Sequence, residues 1–433
     1  MSSYIWQKGG KAEIDERVMR FLAGQDVVLD RELLPFDIRA SQAHARGLAR
    51  IGVLTAEQAE AMVVSLQRLE AAFASGDFVL AEHFEDGHSA IESWLTGDLG
   101  EIGGRIHAGR SRNDQVAVAL RLYMKDRLQR LAEACDTIAR VCLARAERES
   151  DLPLPGHTHL QQAMPSSLGL WWAGHAEAFI DNVALAREIA EWLNASPLGT
   201  ASGFGVNLPL DRDGVAEELG FPRLVINPQY AQNARGKVEL RALDALSAAS
   251  ADLRRLSWDI SLFSSQEFGF VKVSAAFCTG SSIMPNKHNP DTVELLRSLH
   301  ATIVGARAEL EAVLSLPSGY QRDLQDTKPP LIRAFSRGLE GLALAPALLD
   351  GLQWQAERMH AAISPDLHAT DRANELVSEG KPFREAYRQA ATELDGLAGR
   401  EPESSLQARV SPGACANLLI DRLRDRLQAM EVK

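Results

Sequence analysis

A long stretch of apolar periodicity near the middle of the chain most constrains what it can fold into. From Val116 onward, apolar residues recur every three or four positions without an interrupting proline, which is the pattern of one face of an α-helix. The positions are Val116, Leu120, Met124, Leu128, Leu131, Cys135, Ile138 and Cys142. A helix of this length, at ~1.5 Å per residue, exceeds the width of a small domain, so other helices must cover its apolar face.

Four further segments are predicted to form helices of comparable length. They follow Pro165, run from about Lys237 to Phe263, from Asp291 to Leu314, and from Leu331 to about His360. Pro346 should kink the last of them, because proline deletes a backbone hydrogen bond and crowds the preceding turn. Strand signals are few, and the apolar run at 224–226 is too short to build a sheet. We therefore predict an all-α fold with a long central helical bundle.

The chain of 433 residues is long enough for more than one domain, since single hydrophobic cores stop growing near ~250 to 300 residues. The glycine pair within 103–107 and the Ile-Ser-Pro-Asp stretch at 363–366 indicate boundaries. We predict a helical amino-terminal domain over 1–109, a central bundle over 110–360 and a small helical domain over 361–433. The segment after Pro165 has apolar residues on more than one face, which favours oligomerisation through the bundle.

Charge and composition exclude several classes of protein. Lys and Arg number 46 against 58 Asp and Glu, a net charge of −12, and no basic run is present that would follow a nucleic-acid backbone. No apolar run reaches the ~18 residues of a membrane helix, and Met1–Lys8 lacks the apolar core of a signal peptide, so we expect a soluble, cytoplasmic protein. No disulfide is predicted, since Cys135 and Cys142 would lie about 10 Å apart along one helix.

The polar stretch from Thr279 to Asp291 contains the groups that an elimination reaction needs. Gly280 gives the loop conformational freedom, Ser281 supplies a hydroxyl, Lys287 a cation and Asn289 an amide donor. Such a set suits the removal of a proton beside a carboxylate, provided that loop N–H groups and Lys287 stabilise the Ser281 alkoxide. The alternative is a helix-capping loop with an exposed lysine.

Three other stretches are dense in polar residues. The first, 107–115, has two arginines beside a predicted helix start, which favours carboxylate binding; an N-cap with a solvated turn is the alternative, preferred for Asp114 alone. The second, 155–162, carries two histidines that could transfer protons or serve as structural hydrogen-bonding groups. The third, 320–328, could complete an anion pocket or form a solvated turn. The sequence has no zinc-ligand, hydrolase-elbow or phosphate-loop motif.

These stretches, in this order, resemble the fumarase/aspartase superfamily. Its shared loop, Gly-Ser-Ser-x-Met-Pro-x-Lys-x-Asn-Pro, is matched at every fixed position by residues 280–290. The blocks at 37–45, 109–115, 158–161 and 323–325 narrow the resemblance to the argininosuccinate lyases. The resemblance extends from about Trp6 to Arg384.

The resemblance implies a three-domain, mostly helical subunit that assembles into a homotetramer around a twenty-helix core, with each active site built from three subunits. It implies the reversible cleavage of argininosuccinate into fumarate and arginine, the last step of arginine biosynthesis. Neither a metal nor an organic cofactor is implied.

The resemblance also implies roles for individual residues. Ser281 would remove the Cβ proton, His159 would serve the acid side as the guanidinium group departs, and Lys287 and Asn289 would stabilise the aci-carboxylate. The substrate's carboxylates and its arginine part would be held by Arg112, Asn113, Thr158, Tyr320, Gln325 and Lys328. Ser41 would contact fumarate, and His88 would shape the pocket.

Two alternatives to this reading remain open. One is another carbon–nitrogen lyase of the superfamily, such as an adenylosuccinate lyase, for which the Arg110/Arg112 block would bind phosphate. The other is a helical structural protein that keeps the fold without catalysis, as some lens crystallins do. The presence of Ser281, Lys287 and His159 argues against the second alternative.

Overall fold

The computed structural model describes residues 25–81 and 83–431, together with 17, 18 and 21. The segment Met1–Lys8 and the start of the family resemblance at Trp6 lie outside the described residues. No helix in the described part of the chain combines the length and the apolar composition that crossing a membrane requires. All four cysteines are free thiols.

Helices dominate the structure, which confirms the predicted all-α class. The first part of the chain forms α1 (Asp26–Arg50), α2 (Ala56–Ser75), α3 (Gly87–Leu99), α4 (Glu101–Gly104), a 3₁₀ turn (Arg105–His107) and α5 (Arg112–Arg148). The middle forms α6 (Leu168–Trp192), α7 (Arg212–Glu218), α8 (Pro228–Asn233), α9 (Lys237–Phe263), a 3₁₀ turn (Ala275–Phe277), α10 (Asp291–Val313), a 3₁₀ helix (Arg322–Thr327) and α11 (Lys328–Asp350). The last part forms α12 (Ala356–Ala361), α13 (Ala369–Ser378), α14 (Phe383–Thr392), α15 (Pro402–Ala408) and α16 (Ile420–Glu431), with 3₁₀ turns at Pro365–His368 and Leu394–Leu397.

The five long helices predicted from periodicity are α5, α6, α9, α10 and α11. The bounds predicted for α9 and α10 agree with the structure to within one residue, and α5 begins four residues before Val116. The predicted end of the fifth helix near His360 was wrong: α11 ends at Asp350. Pro346 lies inside this helix and does not end it. The Arg145 side chain donates hydrogen bonds to the carbonyl groups of Leu349, Asp350 and Leu352, at 3.3, 2.9 and 2.9 Å. A distant guanidinium group therefore satisfies carbonyls at this helix end.

Three small antiparallel sheets lie within the described residues. They pair β1 (Pro153–Thr158) with β2 (Gln161–Ser167), β3 (Val271–Lys272) with β6 (Gln353–Trp354), and β4 (Thr279–Gly280) with β5 (His288–Asn289). The β1–β2 hairpin was missed from the sequence, which we expected to lead directly into a helix after Pro165. Its turn consists of His159 and Leu160, a pair that lacks the glycine typical of two-residue hairpin turns.

The chain divides into two compact units, and its five long helices each contribute residues to both. The first unit contains Met1–Gln129, Arg187–Asp244 and Val304–Ser336, and the second contains Arg130–Ala186, Ala245–Ile303 and Arg337–Lys433. The division into three domains that we predicted from the sequence stays a prediction.

The first unit has an apolar core between α1, α2 and α3. Its fully buried members include Leu34, Ile38, Leu48, Met62, Leu66, Leu69 and Leu95. Burial of each such side chain stabilises the fold by about 1.5 to 3 kcal/mol relative to an exposed one. This core packs against α3, whose second residue is the predicted site residue His88.

The second unit buries a polar contact beside the ring of Trp172. The indole N–H of the fully buried Trp172 donates to the Glu149 carboxylate at 2.7 Å, and Arg145 lies 2.9 Å from the other oxygen of that carboxylate. The Arg145 guanidinium also lies over the Trp172 ring, 5.1 Å from its centroid. Because both charges are paired and hydrogen-bonded, this part of the core tolerates them.

A buried histidine connects α1 to the loop before α5. His44 Nε2 lies 2.9 Å from the carbonyl oxygen of Ala108, and on the same helix the Ser41 hydroxyl accepts a hydrogen bond from Arg110 at 2.9 Å. Burial, together with the charge of Arg110, lowers the pKa of His44 well below its ordinary value. The imidazole is therefore neutral near pH 7, and Nε2–H donates to the carbonyl.

We predict that His44 makes the protein less stable in mild acid. Below the ordinary value of 6.5, the unfolded chain binds a proton at His44 while the folded chain does not, so stability falls as the pH falls. The slope due to this group approaches about 1.4 kcal/mol per pH unit. Urea unfolding at pH 7.5 and 5.5, at one protein concentration, should give a smaller difference between wild type and His44→Gln at the lower pH. A difference that does not change with pH would contradict this account.

Candidate active site

The residues predicted to form the site fall into two groups, one in each compact unit. The first unit carries Ser41, His88, Arg112, Asn113, Tyr320, Gln325 and Lys328. The second carries Thr158, His159, Ser281, Lys287 and Asn289.

Ser281 lies in the loop that joins β4 to β5. The pairs Thr279 with Asn289 and Gly280 with His288 close the base of this loop. The Ser281 hydroxyl oxygen accepts hydrogen bonds from the backbone N–H groups of Ile283 and Met284, at 3.3 and 3.1 Å. Since N–H donors favour negative charge on the oxygen that they contact, the loop provides part of the stabilisation that a serine base requires.

The rest of this loop is open to solvent. The Lys287 side chain is exposed, Asn289 is half-buried on β5, and the side chain of Ile283 is 83% exposed. At the base of the loop, the Thr279 hydroxyl donates to the carboxylate of Asp291, the first residue of α10. The structure therefore fixes the ends of the loop while leaving its hydroxyl, ammonium and amide groups accessible.

His159 lies at the tip of the β1–β2 hairpin. His159 and Leu160 have positive φ angles of 55° and 58°, which is the backbone of a two-residue type I′ turn. Both side chains are exposed, as is Thr158 on the preceding strand. Positive φ is unfavourable for residues with a Cβ atom and concentrates at functional sites, so the geometry supports a role for this turn.

In the first unit, the amino end of α5 is held by charges. Arg112 contacts both carboxylate oxygens of Glu85, at 2.8 and 3.0 Å, and lies 3.3 Å from Asp86. Next to it, the backbone N–H of Asn113 donates to the Ser111 hydroxyl at 3.3 Å. The guanidinium predicted to bind a substrate carboxylate is thus already paired with protein carboxylates in this structure.

Asp114 is fully buried, so the solvated turn that we preferred for it was wrong, although its carboxylate does bond a backbone N–H at the amino end of α5, as the N-cap part of that prediction required. Its carboxylate accepts hydrogen bonds from the backbone N–H groups of Ser111, Gly199 and Ala201, each at 2.9 Å. Burial raises the pKa of this carboxyl above its ordinary value, although the three donors favour the charged form. Asp114 therefore fixes the start of α5 to a distant loop, a contact that no local motif announces.

His88 and Lys328 are both buried beside aspartates of α1. His88 Nδ1 lies 2.5 Å from an Asp37 carboxylate oxygen, and Lys328 Nζ lies 3.0 Å from Asp30, which also accepts from the backbone N–H of Gly87 at 3.0 Å. Burial lowers the pKa of His88, but the carboxylates of Asp37, Asp86 and Asp30 outweigh it and raise the pKa above its ordinary value. The structure thus brings His88 and Lys328 together around the start of α3, each paired with an aspartate of α1.

Tyr320 and Gln325 are half-buried on the segment that precedes α11. Within that segment Leu324, Thr327 and Lys328 are buried, so it is more than the solvated turn that was the alternative reading. Beside it lies a polar pocket of about 360 Å³. The pocket is lined by Gln232, Asn233, Arg235, Lys237, Leu314, Leu316, Pro317, Ser318, Gly319 and Leu324.

One group of side chains in the described part of the chain has the geometry to hold a metal ion. His360 Nε2 lies 3.6 Å from carboxylate oxygens of Glu401 and of Glu403. These side chains are largely exposed, and they belong to neither group of predicted site residues.

Comparison with known proteins identifies the family of the chain. A family model described as "Lyase" matches residues 12–305. The chain is 54% identical over 431 residues to a protein named argininosuccinate lyase from Stenotrophomonas maltophilia, covering 99% of this chain and 100% of that protein. It is 53% identical over 432 residues to another of that name from Xanthomonas campestris pv. campestris, covering all of both. The chain belongs to the argininosuccinate lyase family.

Solved structures agree with this family at the level of the fold. An EDDS lyase in complex with formate matches with a TM-score of 0.81 at 23% identity, covering 98% of this chain and 92% of the other. A fumarate lyase from Mesorhizobium sp. BNC1 matches with a TM-score of 0.70 at 19% identity, covering 98% and 96%. The fumarase/aspartase-like fold predicted for this member of the argininosuccinate lyase family is thereby confirmed.

Proposed function

We propose that the protein is an argininosuccinate lyase, which eliminates fumarate from argininosuccinate reversibly and leaves L-arginine, the last step of arginine biosynthesis. The observation that carries the proposal is the identity of about half of all residues to relatives of that name, along the whole chain. The proposal includes a cytoplasmic location, as expected for an enzyme of amino-acid biosynthesis. It needs neither a metal nor an organic cofactor, because side chains supply the base, the acid and the cations.

In the proposed mechanism, Ser281 takes the Cβ proton of the succinyl part. The electron pair of the broken C–H bond first increases the negative charge of the adjacent carboxylate, which Lys287 and Asn289 stabilise. The electrons then form the double bond of fumarate as the C–N bond breaks. The support for this role of Ser281 is the pair of backbone N–H groups at its hydroxyl oxygen.

His159 would serve the acid side of the same reaction. As the C–N bond breaks, the departing guanidino nitrogen takes up a proton, and an imidazole can supply one near neutral pH. The exposed position of His159 on a tight turn supports this assignment, because it leaves the ring accessible to a substrate.

The remaining residues would hold the substrate. Ser41, His88, Arg112, Asn113, Thr158, Asn289, Tyr320, Gln325 and Lys328 supply hydroxyl, amide and cationic donors suited to carboxylates and to the arginine part. Arg112 would bind a substrate carboxylate by exchanging contacts that it now makes with Glu85.

The proposal includes a homotetramer in which each active site takes residues from three subunits, so that the two groups of site residues can meet across subunits. The support is a set of large apolar side chains left exposed on α9, α10 and α11. They are Trp258, Leu295, Val304 and Leu344, which are 43%, 56%, 42% and 45% exposed. Apolar surface of this kind on long helices favours association.

Assays of fumarate formation test the proposed substrate. Argininosuccinate and adenylosuccinate should be offered in parallel, with the absorbance of fumarate as the signal. We expect fumarate from argininosuccinate alone. Turnover of adenylosuccinate instead would favour the other lyase, and no turnover of either would favour a structural protein of this fold.

Replacement of Ser281 tests the proposed base. We expect Ser281→Ala to lower kcat by roughly 10² to 10⁴ while substrate binding is largely kept, because only the proton transfer loses its acceptor. Ser282→Ala, in the exposed neighbouring residue, is the matched control and should stay near wild type. Comparable rates for Ser281→Ala and wild type would remove Ser281 from the role of base.

Analytical ultracentrifugation tests the assembly. We expect a single species of four times the 47.2 kDa mass of the chain at the concentrations at which activity is measured. Full activity in a monomeric fraction would rule out active sites shared between subunits.

A further inference from the structure

A buried ion pair lies between α8 and the first turn of α9. The side chains of Arg235 and Glu239 are 4% and 0% exposed, and Arg235 Nε donates to a Glu239 carboxylate oxygen at 3.2 Å. Because burying two charges is costly, such a pair is retained only where further hydrogen bonds satisfy it. The remaining bonds of Arg235 therefore show what the pair holds in place.

Those bonds reach the 3₁₀ helix Arg322–Thr327. Arg235 Nη2 donates to the carbonyl oxygen of Leu324 at 3.2 Å and lies 3.5 Å from the Thr327 hydroxyl, which itself donates to the same carbonyl at 2.8 Å. Leu324 and Thr327 are on either side of Gln325, and Lys328 follows directly. One guanidinium group thus fixes the backbone around a residue proposed to hold the arginine part of the substrate.

A second contact fixes the other end of the same segment. The Asn233 side-chain oxygen accepts a hydrogen bond from the backbone N–H of Gly319, the residue before Tyr320, at 2.8 Å. Gly236, next to Arg235, has a φ of 76°, and a Cβ atom there would lie 1.9 Å from Leu314. The region 233–239 therefore packs closely against 314–327. Its contacts are to Gly319, Leu324 and Thr327, so Tyr320 and Gln325 each lie between two contacted residues.

We infer that Arg235, paired with Glu239, is a positioning residue that sets the affinity of the site for the arginine part of the substrate. It acts through the segment carrying Tyr320 and Gln325 and touches no reacting atom. This inference rests on the proposed function and assigns to this pair a role in recognition, beyond its contribution to the core. Ser281, His159 and Lys287 belong to the other compact unit, so the elimination step itself should be little changed by its loss.

The decisive experiment measures product inhibition in Arg235→Lys. Lysine keeps the charge beside Glu239 but cannot make the forked contacts to Leu324 and Thr327. We expect KM for argininosuccinate and the inhibition constant of L-arginine to rise about tenfold, with kcat and the inhibition constant of fumarate within about threefold of wild type. Arg241→Lys is the matched control, because Arg241 is an exposed arginine of α9 that pairs only with Asp244 at 2.9 Å among described residues. Arg241→Lys should change neither KM for argininosuccinate nor the inhibition constant of L-arginine.

A purely structural pair would give a different result. If Arg235→Lys folds and assembles as wild type but alters arginine and fumarate inhibition equally, or alters neither, the positioning role is wrong. If Arg235→Lys does not fold, Thr327→Val decides, since it removes one partner of Arg235 with little change in volume; it should weaken arginine inhibition selectively, and failure to do so overturns the inference. Wild-type turnover of argininosuccinate is measured first, so that failure of the proposed function is recognised separately.

Discussion

Buried charge that must be matched is the constraint on which the polar parts of this structure depend. An ionised side chain away from water is tolerated only when hydrogen bonds or an opposite charge replace the water that it has lost. Asp114 meets this condition with three backbone N–H groups, Glu149 with Arg145 and an indole, and Glu239 with Arg235. Trp172, Gly199 and Ala201 come from segments distant from the carboxylates that they contact, so satisfying the charge also fixes where those segments lie.

The two groups of predicted site residues differ in how far their side chains are paired with other protein groups. In the first unit, Lys328, His88 and Arg112 are each held by a carboxylate, which gives them set positions. In the second unit, His159 and Lys287 are exposed, and the Ser281 hydroxyl is held by backbone N–H groups of its own loop. The groups proposed to bind the substrate are thus held by other protein groups in this structure, while the groups proposed for proton transfer are accessible to solvent.

The long helices were predictable from the sequence because the three-to-four-residue spacing of their apolar residues can be recognised within each segment alone. The end of α11 was not, because Arg145, about two hundred residues earlier, binds the carbonyl groups there. The β1–β2 hairpin was not predictable, because its turn residues are His159 and Leu160 and not the glycine or asparagine that indicates a tight turn in a sequence.

For the site, the sequence identified candidate residues through their spacing and family resemblance but could not identify their partners. The contact of Arg112 with Glu85 and that of Asp114 with Gly199 join residues far apart in the chain. Neither contact has a local pattern, so only the fold reveals it. The contact of Arg235 with the carbonyl group of Leu324, next to Gln325, was missed for the same reason.

The left-handed backbone at position 159 limits which amino acids selection can place there. Outside glycine, that conformation is occupied most readily by asparagine, aspartate and histidine. Of these, histidine alone has an ordinary pKa near neutrality, at about 6.5. Main-chain sterics at position 159 therefore restrict which side chains can be selected there, and the residue present is one of the few non-glycine types that this conformation admits readily.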